Sequence, residues 1–89
     1  MAVNENMALE MVKHRLNRLP GDTSLDTYLA ARIEAAVQEL TRVGIVPTES
    51  TEDLILVVDY TVWQYQNRDN PGGMPEWLRL RRRERWLAE

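Results

Sequence analysis

Leu9, Val12, Leu16 and Leu19 recur at intervals of three, four and three residues, which places them on one face of a helix. The spacing predicts a first helix over 5–17, capped by Asn4 or Asn6. Pro20, Gly21 and Asp22 then break the pattern, and Asp22, Thr23 and Ser24 are all suitable caps for a second helix. That helix is expected over about 25–43. Leu25, Leu29, Ile33, Ala36, Val37, Leu40 and Val43 form its stripe, with Asp26, Arg32, Glu34 and Glu39 largely off it. Gly44 suits the C′ position, where a positive φ costs least.

After Ile45-Val46-Pro47 comes a polar loop in which Ser50 and Asp53 have capping-box spacing, with Asp in place of Glu or Gln. Residues 54–66, LILVVDYTVWQYQ, are rich in β-branched side chains and fit either a buried strand or a buried helix. Length, the preceding cap and the lack of a breaker favour a helix. Only Asp59, Gln64 and Gln66 interrupt its apolar surface, so the helix is expected at the centre of the fold. Residues 67–73 are a turn cluster with Pro71, Gly72 and Gly73. Pro75 suits the first position of a last helix over about 75–88, with Glu76 at its positive end. The expected fold class is all-α: a small bundle of three main helices, a helical core over about 5–67, and a C-terminal docking helix, in one domain spanning 1–89.

On a helical wheel, Trp77, Leu80 and Leu87 share one side of that last helix, while Leu78 and Trp86 flank Arg82 roughly opposite. A helix packed only on its own domain needs one apolar strip, so two strips suggest a helix between its own fold and something else. Trp and Arg are also enriched at interface hot spots. The candidate protein-interface residues are therefore Trp77, Leu78, Arg79, Arg81, Arg82, Arg83, Arg85 and Trp86. Two other readings stand beside this one: a surface helix whose arginine stems cover apolar groups, and a patch whose arginines meet phosphates.

Charge sharpens the choice. Residues 74–89 hold five Arg against three Glu, a net of +2, whereas residues 1–73 hold six bases against eleven acids, a net of −5. The acidic body and the nearby glutamates weigh against nucleic acid. At 89 residues and 44% hydrophobic, the chain is one short globular domain that gains from a partner or from self-association. It has no Cys, so a disulfide framework or thiolate metal site is excluded. No apolar run suggests a membrane helix and no secretory pattern opens the chain, so a soluble, unsecreted protein is expected.

Candidate chemistry is sparse. His14, the only histidine, reads as an exposed helical side chain, since alone it makes no zinc site. Asp59 either pairs with an arginine, such as Arg68 or one from the last helix, or marks a solvent-facing edge of the third helix. Asp53 and Asp59 do not share a helical face, Ser24 and Ser50 read as caps, and Gly72-Gly73 lacks the residues of a phosphate loop. Tyr60, Trp63 and Tyr65 read as core or subunit-contact residues rather than base-stacking platforms. The expectation is no enzyme, no catalytic residue, no cofactor and no metal.

The succession MALEMVKHRL, a polar gap with Asp22 and Asp26, YLAARIEAAVQEL ending at a glycine, LILVVDYTVWQY and NRDNPGGMPEWLRLRRRERWL resembles the small head–tail connector (head-completion or adaptor) proteins of tailed bacteriophages. The resemblance covers nearly the whole chain and is most specific over 65–80. The dense Arg run departs from the more mixed polar ending of that family. The resemblance implies an all-α virion subunit in a homo-oligomeric, dodecameric ring. Such a ring docks on the portal protein, extends the DNA channel and offers a platform to a tail completion or terminator protein. DNA would pass without specific binding, and no membrane is involved. The location implied is the virion neck, and the host cytoplasm during assembly. The competing class is a small helix-turn-helix DNA-binding regulator, built on helices two and three, with the Arg segment on phosphates.

Overall fold

A computed structural model describes residues 3–19, 21–67 and 73–88. Within them the chain forms four helices: α1 (Glu5–Arg15), α2 (Asp26–Arg42), α3 (Thr51–Gln66) and α4 (Glu76–Leu87). No strand occurs among the described residues, so 54–66 is helix, as expected from its length and cap. α1, α2 and α3 pack against one another in all three pairings, and α4 packs on α3 alone. The turn cluster at 68–72, including Pro71 and Gly72, lies outside the described residues, as do Pro20 and Glu89.

Local chemistry sets the helix limits. Asn4 Oδ1 accepts from the Met7 amide at 3.0 Å and opens α1. α1 ends two residues before the expected limit. Asn17 takes φ 60, and the Arg18 amide reaches back to the Lys13 carbonyl at 2.8 Å, a closure that Asn tolerates better than most residues. α2 ends as expected, with Gly44 at φ 101. The Ile45 amide bonds the Leu40 carbonyl at 2.8 Å, and both side chains are fully buried at that corner. The start of α2 differs from expectation. Leu25 holds the cap position without a side-chain bond, because Asp22 Oδ1 is occupied by the amide and hydroxyl of Ser24. Ser50 Oγ caps α3 by accepting from the Asp53 amide at 3.2 Å. Pro75 precedes α4 at its cap position, one residue before the first helical turn.

The core fills from the expected stripes. Leu29, Ile33, Ala36 and Leu40 of α2 are fully buried, while Val43 stays half exposed. From α1, Val12 and Ala8 are buried, Leu9 and Leu16 lie at the core edge, and Leu19 points to solvent at 74% exposure. α3 is enclosed on most of its circumference: Leu54, Leu56, Val57, Val58, Tyr60, Thr61 and Val62 are all buried, and Ile55 alone among its aliphatic side chains is exposed. Each such aliphatic side chain contributes ~1.5–3 kcal/mol on transfer from water. The aromatic residues of α3 are absorbed in this packing. Tyr60 and Trp63 meet edge-on at 5.9 Å, and Tyr65 meets Tyr28 of α2 at 6.0 Å.

One buried cation is not apparent from the sequence. Lys13 is 3% exposed and pairs with Asp26 at 3.0 Å, tying α1 to the first turn of α2. Lys13 completes a 9-12-13-16 set on the core-facing side of α1, and a charge at such a position needs an opposing partner.

Candidate functional site

α4 has 12 residues, too few to stay helical alone in water, so its order depends on what it touches. Three side chains fix it to the bundle. Leu78 is fully buried. One and two turns further on, Arg81 and Arg85 reach two carboxylates of α3 that are themselves buried.

Asp59 is 5% exposed and lies between two arginines from different helices. Arg15 Nη1 of α1 donates to Oδ1 at 2.6 Å, and Arg81 Nη1 of α4 donates to Oδ2. The arginine-pairing alternative is therefore the one realised, with α1 as an unforeseen second partner. Arg68 lies outside the described residues. Arg81 also stands 5.6 Å from the centre of the Trp77 ring, a cation–π distance.

Asp53 is 2% exposed. Its Oδ1 accepts from Arg85 Nε at 2.7 Å, and its Oδ2 accepts from the amide and hydroxyl of Thr48 at 2.7 and 2.8 Å. Arg85 also donates to the Val46 carbonyl at 3.2 Å, so it joins α4 to the loop before α3. The Ser50–Asp53 pair thus departs from the full capping box. The serine half forms, but the aspartate turns to Thr48 and Arg85, while the Ser50 amide donates to Thr48 Oγ1. Burial alone would raise the Asp53 carboxyl. The Arg85 and Thr48 hydrogen bonds favour the anion more strongly and hold it below the ordinary carboxylate value of 3.8.

A group depressed in the folded state adds stability above its unfolded value, and that stability is lost as pH falls through the folded value. The attachment of α4 should therefore weaken from about pH 4 downward. Urea midpoints followed by tryptophan fluorescence should fall with acid in that window for the native sequence, and less steeply for Asp53→Asn. Equal slopes for the two proteins would refute this account of Asp53.

A second network joins α2, α3 and α4. Gln64 Nε2 donates to Glu39 at 2.6 Å. The Tyr60 hydroxyl is raised above its ordinary value of 10.0, first by burial and then by its bond to Glu39, with Arg82 beside it acting in the opposite direction.

These contacts divide the sequence-predicted interface residues into three groups. Leu78, Arg81 and Arg85 face the bundle, and Leu78 presents no surface to a partner while α4 is docked. Arg79, Arg82, Arg83 and Trp86 lie along one flank, beside Val43 and Ile45. Trp86 rests on the α2–α3 turn: a Cβ at Gly44 would come within 2.8 Å of its indole nitrogen. The third group is the outer strip. Trp77, Leu80 and Leu87 are 50%, 51% and 63% exposed. Leu80 and Leu87 are on the expected wheel strip, outside the named interface set, and are as exposed as Trp77.

No group of acidic, His or Cys side chains among the described residues is arranged to hold a metal, and no described helix is long and apolar enough to cross a membrane. His14 is exposed. α3 is buried over most of its circumference, with Thr51, Glu52, Ile55 and Gln66 exposed. No family model, curated protein or solved structure matches the chain.

Proposed function

We propose that the chain is a structural subunit of a bacteriophage virion, a ring-forming head–tail connector that docks on the portal, extends the DNA channel and carries the tail platform. The observation that carries this reading is the outer strip of α4: Trp77, Leu80 and Leu87, each at least half exposed, on a helix whose opposite face is already spent on its own bundle. A small subunit that adds interface area through a docked helix fits assembly better than solution catalysis. The net −5 of residues 1–73 suits a body past which DNA must slide without being gripped. The succession of helices and the MP-x-WL and Arg segments that resemble the connector family support the same reading.

The test uses the combined variant Trp77→Ala, Leu80→Ser and Leu87→Ser, which leaves Leu78, Arg81 and Arg85 in place. Its helical circular dichroism and melting temperature should match the native protein. Rings seen by electron microscopy or light scattering, and incorporation into portal-bearing particles, should be lost. Rings and incorporation at native levels in that variant would overturn the assignment.

A further inference from the structure

Beside the outer strip, the flank of α4 forms an open groove of about 390 Å³ with the α2–α3 turn. Its floor is apolar: Val43, 47% exposed, then Ile45 and Trp86. Its rim is cationic, made by Arg79, Arg82 and Arg83 within a little over one helical turn. Arg82 is held beside the Tyr60 hydroxyl. Arg79 and Arg83 stand four residues apart on the same face, and neither forms an ion pair among the described residues. Like charges at this spacing repel and cost helix stability. Arg42, exposed at the end of α2, adds a further positive charge next to Val43 in the chain. The fold therefore sets positive charge around an apolar floor; Arg82 shares the Tyr60 hydroxyl with Glu39, while Arg79 and Arg83 have no carboxylate of the described residues in ion-pair contact.

The geometry points to a binding groove for an acidic peptide segment that also carries an apolar side chain. The apolar group would sit over Val43 and Trp86. Carboxylates one or two residues away would meet Arg79 and Arg83, whose planar guanidinium groups suit paired hydrogen bonds to carboxylate. Charge complementarity decides the occupant. Duplex DNA needs a positive surface that tracks phosphates over some distance. Here the arginines cover a single turn, on a chain whose body is net −5, and the floor offers a phosphate backbone nothing. The groove shares α4 with the connector reading but rests on its own residues. The peptide experiment can fail while ring formation succeeds, and the reverse.

The experiment measures fluorescence anisotropy of a fluorescein-labelled peptide of alternating Leu and Glu on the full chain. Three probes are run beside it: the same peptide with Lys for Glu, a glutamate-only peptide of equal length, and a short labelled duplex DNA. The Leu–Glu peptide should bind, and each of the other three should bind more weakly by about tenfold or more. Arg79→Glu combined with Arg83→Glu should lower its affinity by about tenfold or more, as expected when two charge-assisted contacts become repulsions. Val43→Asp, at a half-exposed position, should do the same through the floor. Both variants should keep native helical circular dichroism. No binding of the Leu–Glu peptide, native affinity in either variant, equal binding of the glutamate-only or Lys peptide, or tighter binding of the duplex would each overturn the proposal.

Discussion

Replacing both Arg15 and Arg81 by Met should destabilise the protein by ~3–5 kcal/mol, whereas replacing Asp59 by Leu should cost far less, or nothing. The three residues make one ion cluster, yet the two changes differ physically. Asp59 is 5% exposed, while the side chains of Arg15 and Arg81 are 44% and 49% exposed. Removing the arginines leaves a carboxylate inside the fold with no opposing charge from either partner helix. Removing the carboxylate leaves two guanidinium groups that water can still solvate, with their stems still packed. Leu in place of Asp also suits a position that is only 5% exposed on a mostly buried helix. Urea denaturation at neutral pH decides between the two. Equal losses for the double arginine variant and Asp59→Leu would mean that the cluster acts as a stabilising unit rather than as compensation for a buried charge.

Asp59→Leu should nevertheless have a cost that equilibrium stability understates. Asp59 is bonded to both α1 and α4, so it fixes where each lies on α3. A leucine would hold the apolar contact and lose the register. Hydrogen exchange at α4 amides should then rise in Asp59→Leu even where the urea midpoint stays near that of the native protein.

Much of this arrangement is legible in the sequence because it rests on local rules. The stripes of α1 and α2, the caps at Asn4 and Ser50 and the left-handed turn at Gly44 each depend on residues within a few positions of one another. Asp59 can be recognised as a charge in need of a partner because it interrupts an apolar run. Which partner it finds is a tertiary fact: Arg15 lies 44 positions away, and no local pattern selects it over Arg18 or Arg32. The same holds for Asp53 and Arg85, 32 positions apart. Sequence spacing correctly separates Asp53 from Asp59 as an acid pair, but it cannot reveal that each receives an arginine from the same helix. The wheel of α4 likewise gives angles between side chains and no absolute direction. It separates Leu78 from Leu80 and Leu87, but only packing against α3 establishes that Leu78 is the buried one.

Leu78→Ala should release α4 while leaving the three-helix bundle folded, and it separates the roles of this helix more cleanly than truncation. From sequence alone, deleting residues 74–89 is expected to leave a soluble helical product. The structure predicts more damage, because the deletion also removes Arg81 and Arg85 and leaves Asp59 and Asp53 buried with fewer donors. Loss of partner binding in such a product would not distinguish a missing interface from a weakened fold. Leu78→Ala keeps every charge. It removes the one side chain of α4 that is fully buried, at a cost of ~2–5 kcal/mol for a core leucine. Among the helices α4 packs against α3 alone, so the loss should fall first on that contact, with Arg81 and Arg85 still in the chain to return to Asp59 and Asp53. Freed from α3, a 12-residue helix with neighbouring arginines frays. Proteolysis by trypsin should therefore cut first within 79–85 and leave a protected fragment that still contains α1, α2 and α3. Trp77 and Trp86 fluorescence should shift to the red at urea concentrations where the far-ultraviolet signal of the bundle persists. A single coincident transition for both probes in Leu78→Ala would show that α4 is an integral part of one cooperative core rather than a helix latched onto it.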